Sequence, residues 1–239
     1  MTPAVFPPAV ETELVRAFFA DKPRGYFVDV GANEPYKDSQ SWHLEQAGWA
    51  GILVEPQPGL ADALRAARTA RVFQAACSSP RNANTTMLLH VAGPHSSLDP
   101  QLIAGAQRQG TIEVPVRTLD SLLAEANAPA PLDLLSVDVE GHEIEVLSGF
   151  DFARWQPRLI LLEDHVGNLR KHRFMGAAGY HLIRRTGLNA WYVPKDHAGR
   201  LGWLGRWQLL RKYYLALPFR IIRDAKRRLF ETSNARIGV

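Results

Sequence analysis

The sequence predicts an α/β fold built on a doubly wound, mostly parallel sheet. Three observations carry that expectation. Apolar runs of strand length alternate along the chain with stretches of helical spacing. Two runs, Leu132 to Val137 and Leu159 to Leu162, are almost purely apolar, as strands covered on both faces must be. Several runs also end in acids: Asp29, Glu55, Asp138 with Glu140, and Glu163-Asp164-His165. Parallel strands would gather those acids on one rim.

The elements follow in order. Val10 to Ala20 places Leu14, Val15, Phe18 and Phe19 at helical spacing, and Pro23 ends it. Gly25 to Val30 is the first strand. Asp38 or Ser39 can cap a helix that runs to Gly48 with Trp42, Leu44 and Ala47 as its apolar positions. Gly51 to Val54 is the second strand, Gly59 to Arg68 a helix and Arg71 to Ala75 a third strand. After Pro80 the alternation weakens. Thr85 to Val91 and Ile112 to Val116 read as strands of a small antiparallel insertion, with a polar loop from Gly93 to Gln101 between them. Leu119 to Ala126 is a helix. Leu132 to Val137 and Leu159 to Leu162 are central strands separated by a short helix from Gly141 to Gly149. A helix from Asn168 to Ala178 and a hairpin of Tyr180 to Arg184 with Ala190 to Val193 complete the domain.

The 239 residues suffice for one α/β domain with a substantial core, and 46% hydrophobic with 22% charged residues is ordinary for a globular chain. The single cysteine, Cys77, excludes an intramolecular disulfide and a cysteine-based zinc site, and is expected as a small buried residue. It agrees with a reducing compartment. Met1 to Ala20 carries Glu11 and Glu13 and no basic stretch, unlike a secretory signal. No apolar run approaches the ~18 residues of a spanning helix. The positive charge is concentrated at one end. From Arg200 to Val239 ten Lys and Arg face only Asp224 and Glu231, a net of +8, which leaves −4 for the rest of the chain. The core gives no reason to expect nucleic acid binding.

The chemistry centres on the strand ends. Val28-Asp29-Val30-Gly31-Ala32-Asn33 ends the first strand in a Gly-x-Asn turn, and Glu55 ends the second, 24 residues after Gly31. Without a Cβ, Gly31 lets a ligand approach the backbone, and an acid at the tip of the neighbouring strand can accept hydrogen bonds from ribose hydroxyls. The phosphate-cradling Gly-x-Gly-x-x-Gly is missing, because Ala32, Asn33, Glu34, Pro35 and Tyr36 follow Gly31. An adenosine ligand without phosphates, S-adenosylmethionine (SAM), fits this turn better than a nicotinamide dinucleotide. In Asp138-Val139-Glu140-Gly141-His142-Glu143, Gly141 permits a sharp strand-to-helix turn that brings His142 to the crevice as a candidate base. His165 competes for that role. Asp138 and Glu163, with Asp164 or His142, could hold a hard divalent cation such as Mg²⁺; alternatively the carboxylates orient substrate hydroxyls directly.

These motifs together resemble the FkbM family of SAM-dependent methyltransferases. The resemblance rests on Val28 to Asn33, on Gly48-Trp49-Ala50-Gly51-Ile52-Leu53-Val54-Glu55-Pro56, on Val116-Arg117-Thr118-Leu119-Asp120 and on Asp138 to Glu143, which occur in the family's order. It implies a class I methyltransferase fold, Rossmann-like, with seven strands of which the last is antiparallel. It also implies O-methylation, often of sugar hydroxyls in polysaccharides, glycolipids or natural products, and a bacterial source. By the resemblance Asp29, Gly31, Ala32 and Asn33 belong to the first SAM-binding motif, Glu55 and Pro56 to the ribose end, and Ala76 to the adenine pocket. Asp138 lies beside the methionine moiety or the acceptor, and Glu140, Gly141 and His142 form the active-site loop. Where many members have a small Gly-containing turn, this chain has Glu34 to Ser39, and Ser41 to Glu45 resembles a longer polar stretch of one subgroup that places Ser41 at the cofactor.

The expectation for 1–199 is therefore a SAM-dependent O-methyltransferase domain acting on a glycan or glycolipid precursor. His142 or His165 serves as base, and Asp138 and Glu163 position the acceptor. A natural-product O-methyltransferase and a non-catalytic SAM- or nucleoside-binding module are the alternatives. The extension 200–239 interleaves Trp203, Trp207, Tyr213, Tyr214 and Phe219 with Arg and Lys, and Pro218 is expected to break it into two amphipathic helices. Such helices suit an anionic membrane surface, which would place the enzyme at the cytoplasmic face of the cell membrane. They equally suit packing on the domain or on a second subunit in a homo-oligomer.

Overall fold

The computed structural model describes residues 8–92, 96–99, 110–165, 168–197, 203–219 and 221–222. The chain runs α1 (Pro8–Phe18), β1 (Tyr26–Val30), α2 (Trp42–Gln46), β2 (Ala50–Val54), α3 (Pro58–Ala67), β3 (Arg71–Phe73), β4 (Ala76–Cys77), β5 (Thr86–Val91), β6 (Gly110–Arg117) and α4 (Leu119–Glu125). It continues through β7 (Leu134–Val137), α5 (Glu143–Ser148), α6 (Phe152–Trp155), β8 (Leu159–Glu163), α7 (Arg170–Ala177), β9 (Tyr180–Thr186), β10 (Asn189–Pro194) and α8 (Trp203–Leu209), which passes into a π-helical stretch, Leu210–Leu215.

Seven strands form one sheet in the order β3-β2-β1-β7-β8-β10-β9. The pairs β2–β3, β1–β2, β1–β7 and β7–β8 are parallel, and β10 runs antiparallel to both neighbours. The expected mostly parallel sheet with its last strand antiparallel is therefore what forms. Period-two alternation divides its side chains into two cores. Val28, Val30, Ile52, Leu135, Val137, Ile160 and Leu162 face α4, α5 and α7 through Leu119, Leu122, Val146, Leu147 and Met175. Phe27, Leu53, Leu134, Leu159 and Leu161 face α1, α2 and α3 through Val15, Leu44 and Leu64. The order of the strands reverses between β1 and β7, and a crevice opens beyond their carboxyl ends.

The insertion is a three-stranded sheet, β4-β6-β5. The antiparallel pair β5–β6 was expected; the parallel pairing of Ala76 and Cys77 with Val116 and Arg117 was not. It shortens the expected third strand, which leaves the main sheet at Phe73. Ser96 to Asp99 belong to the expected polar loop, and the remainder of Gly93 to Gln101 lies outside the described residues.

The helix expected from Asp38 or Ser39 begins only at Trp42, because Asp38 sits at φ +56. Ser39 still serves the helix start: its Oγ accepts from the backbone N–H of Ser41 and Trp42, at 3.4 and 3.1 Å. The break in the extension falls at Ala216 instead of Pro218, which lies inside the first turn of the following helical segment, where a missing N–H costs nothing. Arg220 and residues from Arg223 onward lie outside the described residues.

Candidate functional site

The site forms where β1 meets β7. Asp138 N–H donates to Val30 O (2.9 Å), and Gly31 N–H donates to Val54 O (2.9 Å). The chain leaves β1 with Gly31 at φ +83, and a Cβ there would lie 1.7 Å from the Asp138 carbonyl oxygen. The contact that requires glycine here is with the adjacent strand end, not with an approaching ligand.

A cleft of about 220 Å³ lies over this junction. Asp29, Gly31, Ala32, Asn33, Glu55, Pro56 and Ala76 line one part of it, and Asp138, Glu140 and His142 another. Asn33 adopts φ +53, and its N–H donates to Glu55 Oε2 at 2.9 Å, while Gln57 N–H donates to Oε1 at the same distance. Both Glu55 oxygens thereby brace the two strand-end turns and each keeps a lone pair for a ligand. Burial raises the Glu55 pKa, against the lowering effect of those two N–H groups.

Asp29 is buried, which raises its pKa, while its bond from Ser41 Oγ (2.6 Å) and the nearby Arg68 oppose the rise. Ser41 has no exposed surface. It holds Asp29 from within the protein, so its expected place at the cofactor is corrected; Ser39 and Gln40 line the cleft instead. Behind them stands Arg68, which the sequence reading passed over. Its side chain is fully enclosed, donating to Glu45 Oε2 (2.7 Å), Pro35 O (2.9 Å), Ser39 Oγ (3.3 Å) and Ser41 Oγ (3.1 Å). One guanidinium thus fixes the loop from Pro35 to Ser41. Tyr36 packs on Trp42 at 4.8 Å across the same loop. Nothing in the local spacing of Arg68 announces this role, since its partners lie 23 to 33 residues away.

The loop after β7 turns through Glu140 at φ +50 and Gly141 at φ +100, and His142 becomes the N-cap of α5. The sharp turn expected at Gly141 is present. His142 Nε2 lies 3.0 Å from Ser78 Oγ, which also accepts from Asn82 Nδ2 at 2.9 Å. Burial lowers the His142 pKa, although Glu145, Glu143 and Asp99 pull the other way, so the ring is neutral at pH 7. The loop is buttressed by a pair the sequence reading missed. Lys171 of α7 meets the fully buried Glu143 at 2.6 Å and also donates to Glu163 O at 2.8 Å.

Asp138 is pushed up to about 9 by burial and by the neighbouring carboxylates of Glu163, Glu140 and Glu143. Burial alone would raise Glu163 too, but its hydrogen bond and attraction to His165, with the charge of Lys171, pull it below the usual carboxylate range. The opposed shifts favour Asp138 over Glu163 as the carboxyl of the pair that keeps a proton. His165 Nε2 lies 3.0 Å from Glu163 Oε1, and that bond raises its pKa above the ordinary value. Its side chain is 58% exposed, and neither His165 nor Glu163 lines the cleft.

Asp164 is corrected as a metal ligand. Its carboxylate accepts from Tyr213 Oη (2.7 Å) and lies 3.4 Å from Arg185 Nη1, on the side of the extension. Among the described residues, those whose ligand atoms do converge, within 4.8 Å of one another, are Glu140, Glu163 and His165. Cys77 is buried, as expected, and burial pushes its thiol up to about 12, which excludes a thiolate nucleophile.

This arrangement of acid-tipped strands around a switch-point cleft agrees with the comparison to known families. A family profile, the methyltransferase FkbM domain, matches residues 29–182, which run from Asp29 at the end of β1 into β9. No curated protein matches the chain. The profile covers more than half of the sequence and includes the acid-tipped strand ends and the loop from Asp138 to Glu143, so the chain belongs to the FkbM family of methyltransferases.

Proposed function

We propose that the protein is a SAM-dependent O-methyltransferase that methylates a sugar hydroxyl in a glycan, polysaccharide or glycolipid precursor. The observation that supports this best is the charge of the cleft. Asp29, Asp38, Glu55 and Glu140 line it beside Asp138, whose carboxyl keeps its proton, and Lys37 is the one lysine or arginine among its described lining residues. Such a lining attracts a cationic sulfonium and repels a pyrophosphate. The residues are compatible with SAM: Glu55 would offer lone pairs to ribose hydroxyls, the apolar surroundings of Ala76 would take adenine, and Asp29 and Asp138 would face the methionine part.

SAM, when bound, supplies an electrophilic methyl group. The protein's own task is then to align an acceptor oxygen and remove its proton. His142 is the better base, because it lines the cleft and is neutral at pH 7, whereas His165 is largely solvated and committed to Glu163. With Asn82 donating to Ser78 Oγ, we assign the other lone pair of that oxygen to His142 Nε2–H, which leaves Nδ1 as the nitrogen that takes the proton. Protonated Asp138 donates one hydrogen bond to Glu163 and keeps acceptor capacity for a sugar hydroxyl. A divalent cation held by Glu140, Glu163 and His165 is the second reading, favoured by the convergence of their ligand atoms. Dialysis against EDTA followed by Mg²⁺ addition separates the two: unchanged transfer after EDTA removes the cation.

Calorimetric titration with SAM and S-adenosylhomocysteine tests the cofactor. Binding is expected for the wild type and is expected to weaken at least about tenfold, roughly 1.4 kcal/mol, in Glu55→Ala. Absence of binding by well-folded wild type, or equal binding by the variant, overturns the assignment. A screen of oligosaccharide acceptors then distinguishes an enzyme from a SAM-binding module. Removal of the base in His142→Ala is expected to lower kcat about 10²- to 10⁴-fold while leaving the SAM affinity intact. His165→Ala is expected to retain most activity, and the reverse ranking exchanges the two roles.

A further inference from the structure

We propose that the outer face of α8 and its π-helical continuation docks on an anionic lipid bilayer. Two faces of this segment have different fates. Leu209 and Tyr213 turn inward, and Tyr213 is 1% exposed within the core. The Tyr213 hydroxyl donates to Asp164 Oδ2 at 2.7 Å and accepts from Arg185 Nη1 at 2.8 Å, so the segment is fastened to the domain by its inner face. On the outer face Trp203, Trp207, Leu210 and Tyr214 follow one another at intervals of four, three and four residues, which is a single helical stripe. Their exposures are 76, 51, 43 and 53%, and Phe219, Ile221 and Ile222 prolong the apolar surface beyond Pro218.

The chemistry of this stripe selects a membrane surface over other occupants. Tryptophan and tyrosine combine an apolar ring with a polar edge and settle at the depth of lipid headgroups. Arg206 and Arg211 are exposed on the same segment, and the extension carries a net charge of +8. That charge is complementary to an anionic leaflet and adverse to a second copy of the same tail, since a two-fold dimer would set like charges opposite each other. Among the described residues no helix is long and apolar enough to cross a membrane, so the stripe is suited to lie in the plane of the surface.

The fastening point lies just beyond β8: Asp164, which holds Tyr213, directly follows Glu163 at the end of that strand. The docking does not rest on the methyltransferase reading.

Flotation of the full chain with vesicles tests the docking without cofactor or acceptor, so its outcome leaves the SAM assignment untouched. Vesicles of phosphatidylcholine alone are compared with vesicles containing about 30% phosphatidylglycerol, the anionic component that would attract the basic extension. The wild type is expected to float with the anionic vesicles and to be released as salt is raised to about 0.5 M. The variant Trp203→Ser/Trp207→Ser/Phe219→Ser is expected to bind at least about tenfold more weakly. Because all three side chains are exposed, its circular dichroism and thermal midpoint are expected to match the wild type. Failure of the wild type to float, or equal flotation of the triple variant, overturns the proposal. A wild-type dimer in light scattering that the triple variant abolishes, with no flotation of either, assigns the stripe to a second copy and overturns it as well.

Discussion

His43 shows how far a single side chain can carry the pH response of this fold. It is 6% exposed on α2, and neither ring nitrogen has a hydrogen-bond partner among the described residues. Burial, with the nearby charge of Arg16, lowers its pKa from 6.5 to about 4. The unfolded chain therefore takes up a proton that the folded chain refuses between those values. Above pH 6.5 neither state binds it; below that pH stability falls, and the loss levels off near pH 4. A shift of this size corresponds to about 3 kcal/mol. Urea titrations of wild type and His43→Phe between pH 7 and 4 are expected to diverge by that amount, the wild type losing more. Parallel pH profiles would remove His43 as the cause. Gly31 sets a harder limit. With φ at +83 and the Asp138 carbonyl oxygen 1.7 Å from where a Cβ would sit, Gly31→Ala must push β1 and β7 apart at their ends. Its expected result is loss of SAM binding together with a thermal midpoint well below wild type, because the two halves of the cleft meet there.

At the scale of elements, what was legible in the sequence follows from what is local. Leu132 to Val137 and Leu159 to Leu162 could be placed as central strands because burial on both faces leaves a continuous apolar run, and acids after such runs could be placed on the rim because parallel strands share a direction. The short α6 carried a signal that went unused. Asp151 caps it, accepting from Ala153 and Arg154 N–H at 2.9 and 3.1 Å, but four residues are too few to show a helical period. Arg68, Lys171 and Ser78 could not be found this way, since their partners come from remote parts of the chain. For Arg68 the remoteness is itself testable. Its enclosed guanidinium is matched by Glu45 and by oxygens of the Pro35–Ser41 loop. Replacing it with methionine keeps much of the volume, removes the charge and leaves Glu45 without its ion-pair partner. A loss of about 3–5 kcal/mol is expected from chemical denaturation. The variant is also expected to bind SAM less tightly, because Ser39 and Gln40 line the cleft from the same loop. Retention of full stability would show the loop to be held by Tyr36 and Trp42 instead.

For the whole molecule, the switch point is where fold, charge and ligand meet, and ligand-linked stability reads all three at once. A ligand that binds only the folded chain stabilises it by about 2.7 kcal/mol at a hundredfold excess over its dissociation constant. For a domain of this size that corresponds to a rise in Tm of roughly 5–10 °C. The cleft discriminates by charge. Asp29, Asp38, Glu55 and Glu140, against Lys37 alone among its described lining residues, favour a cationic sulfonium and oppose a diphosphate, and Glu34 follows the Gly31 turn where a dinucleotide cradle would need small residues. SAM is therefore expected to raise Tm, S-adenosylhomocysteine to raise it less because the sulfur has lost its charge, and NAD to leave it unchanged. The difference between SAM and S-adenosylhomocysteine is expected to shrink with added salt only weakly, since Asp29 and Glu55 are 4% and 3% exposed and poorly screened. Glu55→Ala is expected to reduce both shifts by about half or more, because Asn33 and Gln57 lose the acceptor that holds the two strand-end turns in register. A shift with NAD equal to that with SAM would contradict the charge argument and with it the cofactor. A larger shift with S-adenosylhomocysteine than with SAM would keep the adenosine end of the site and move the sulfonium away from the carboxylates.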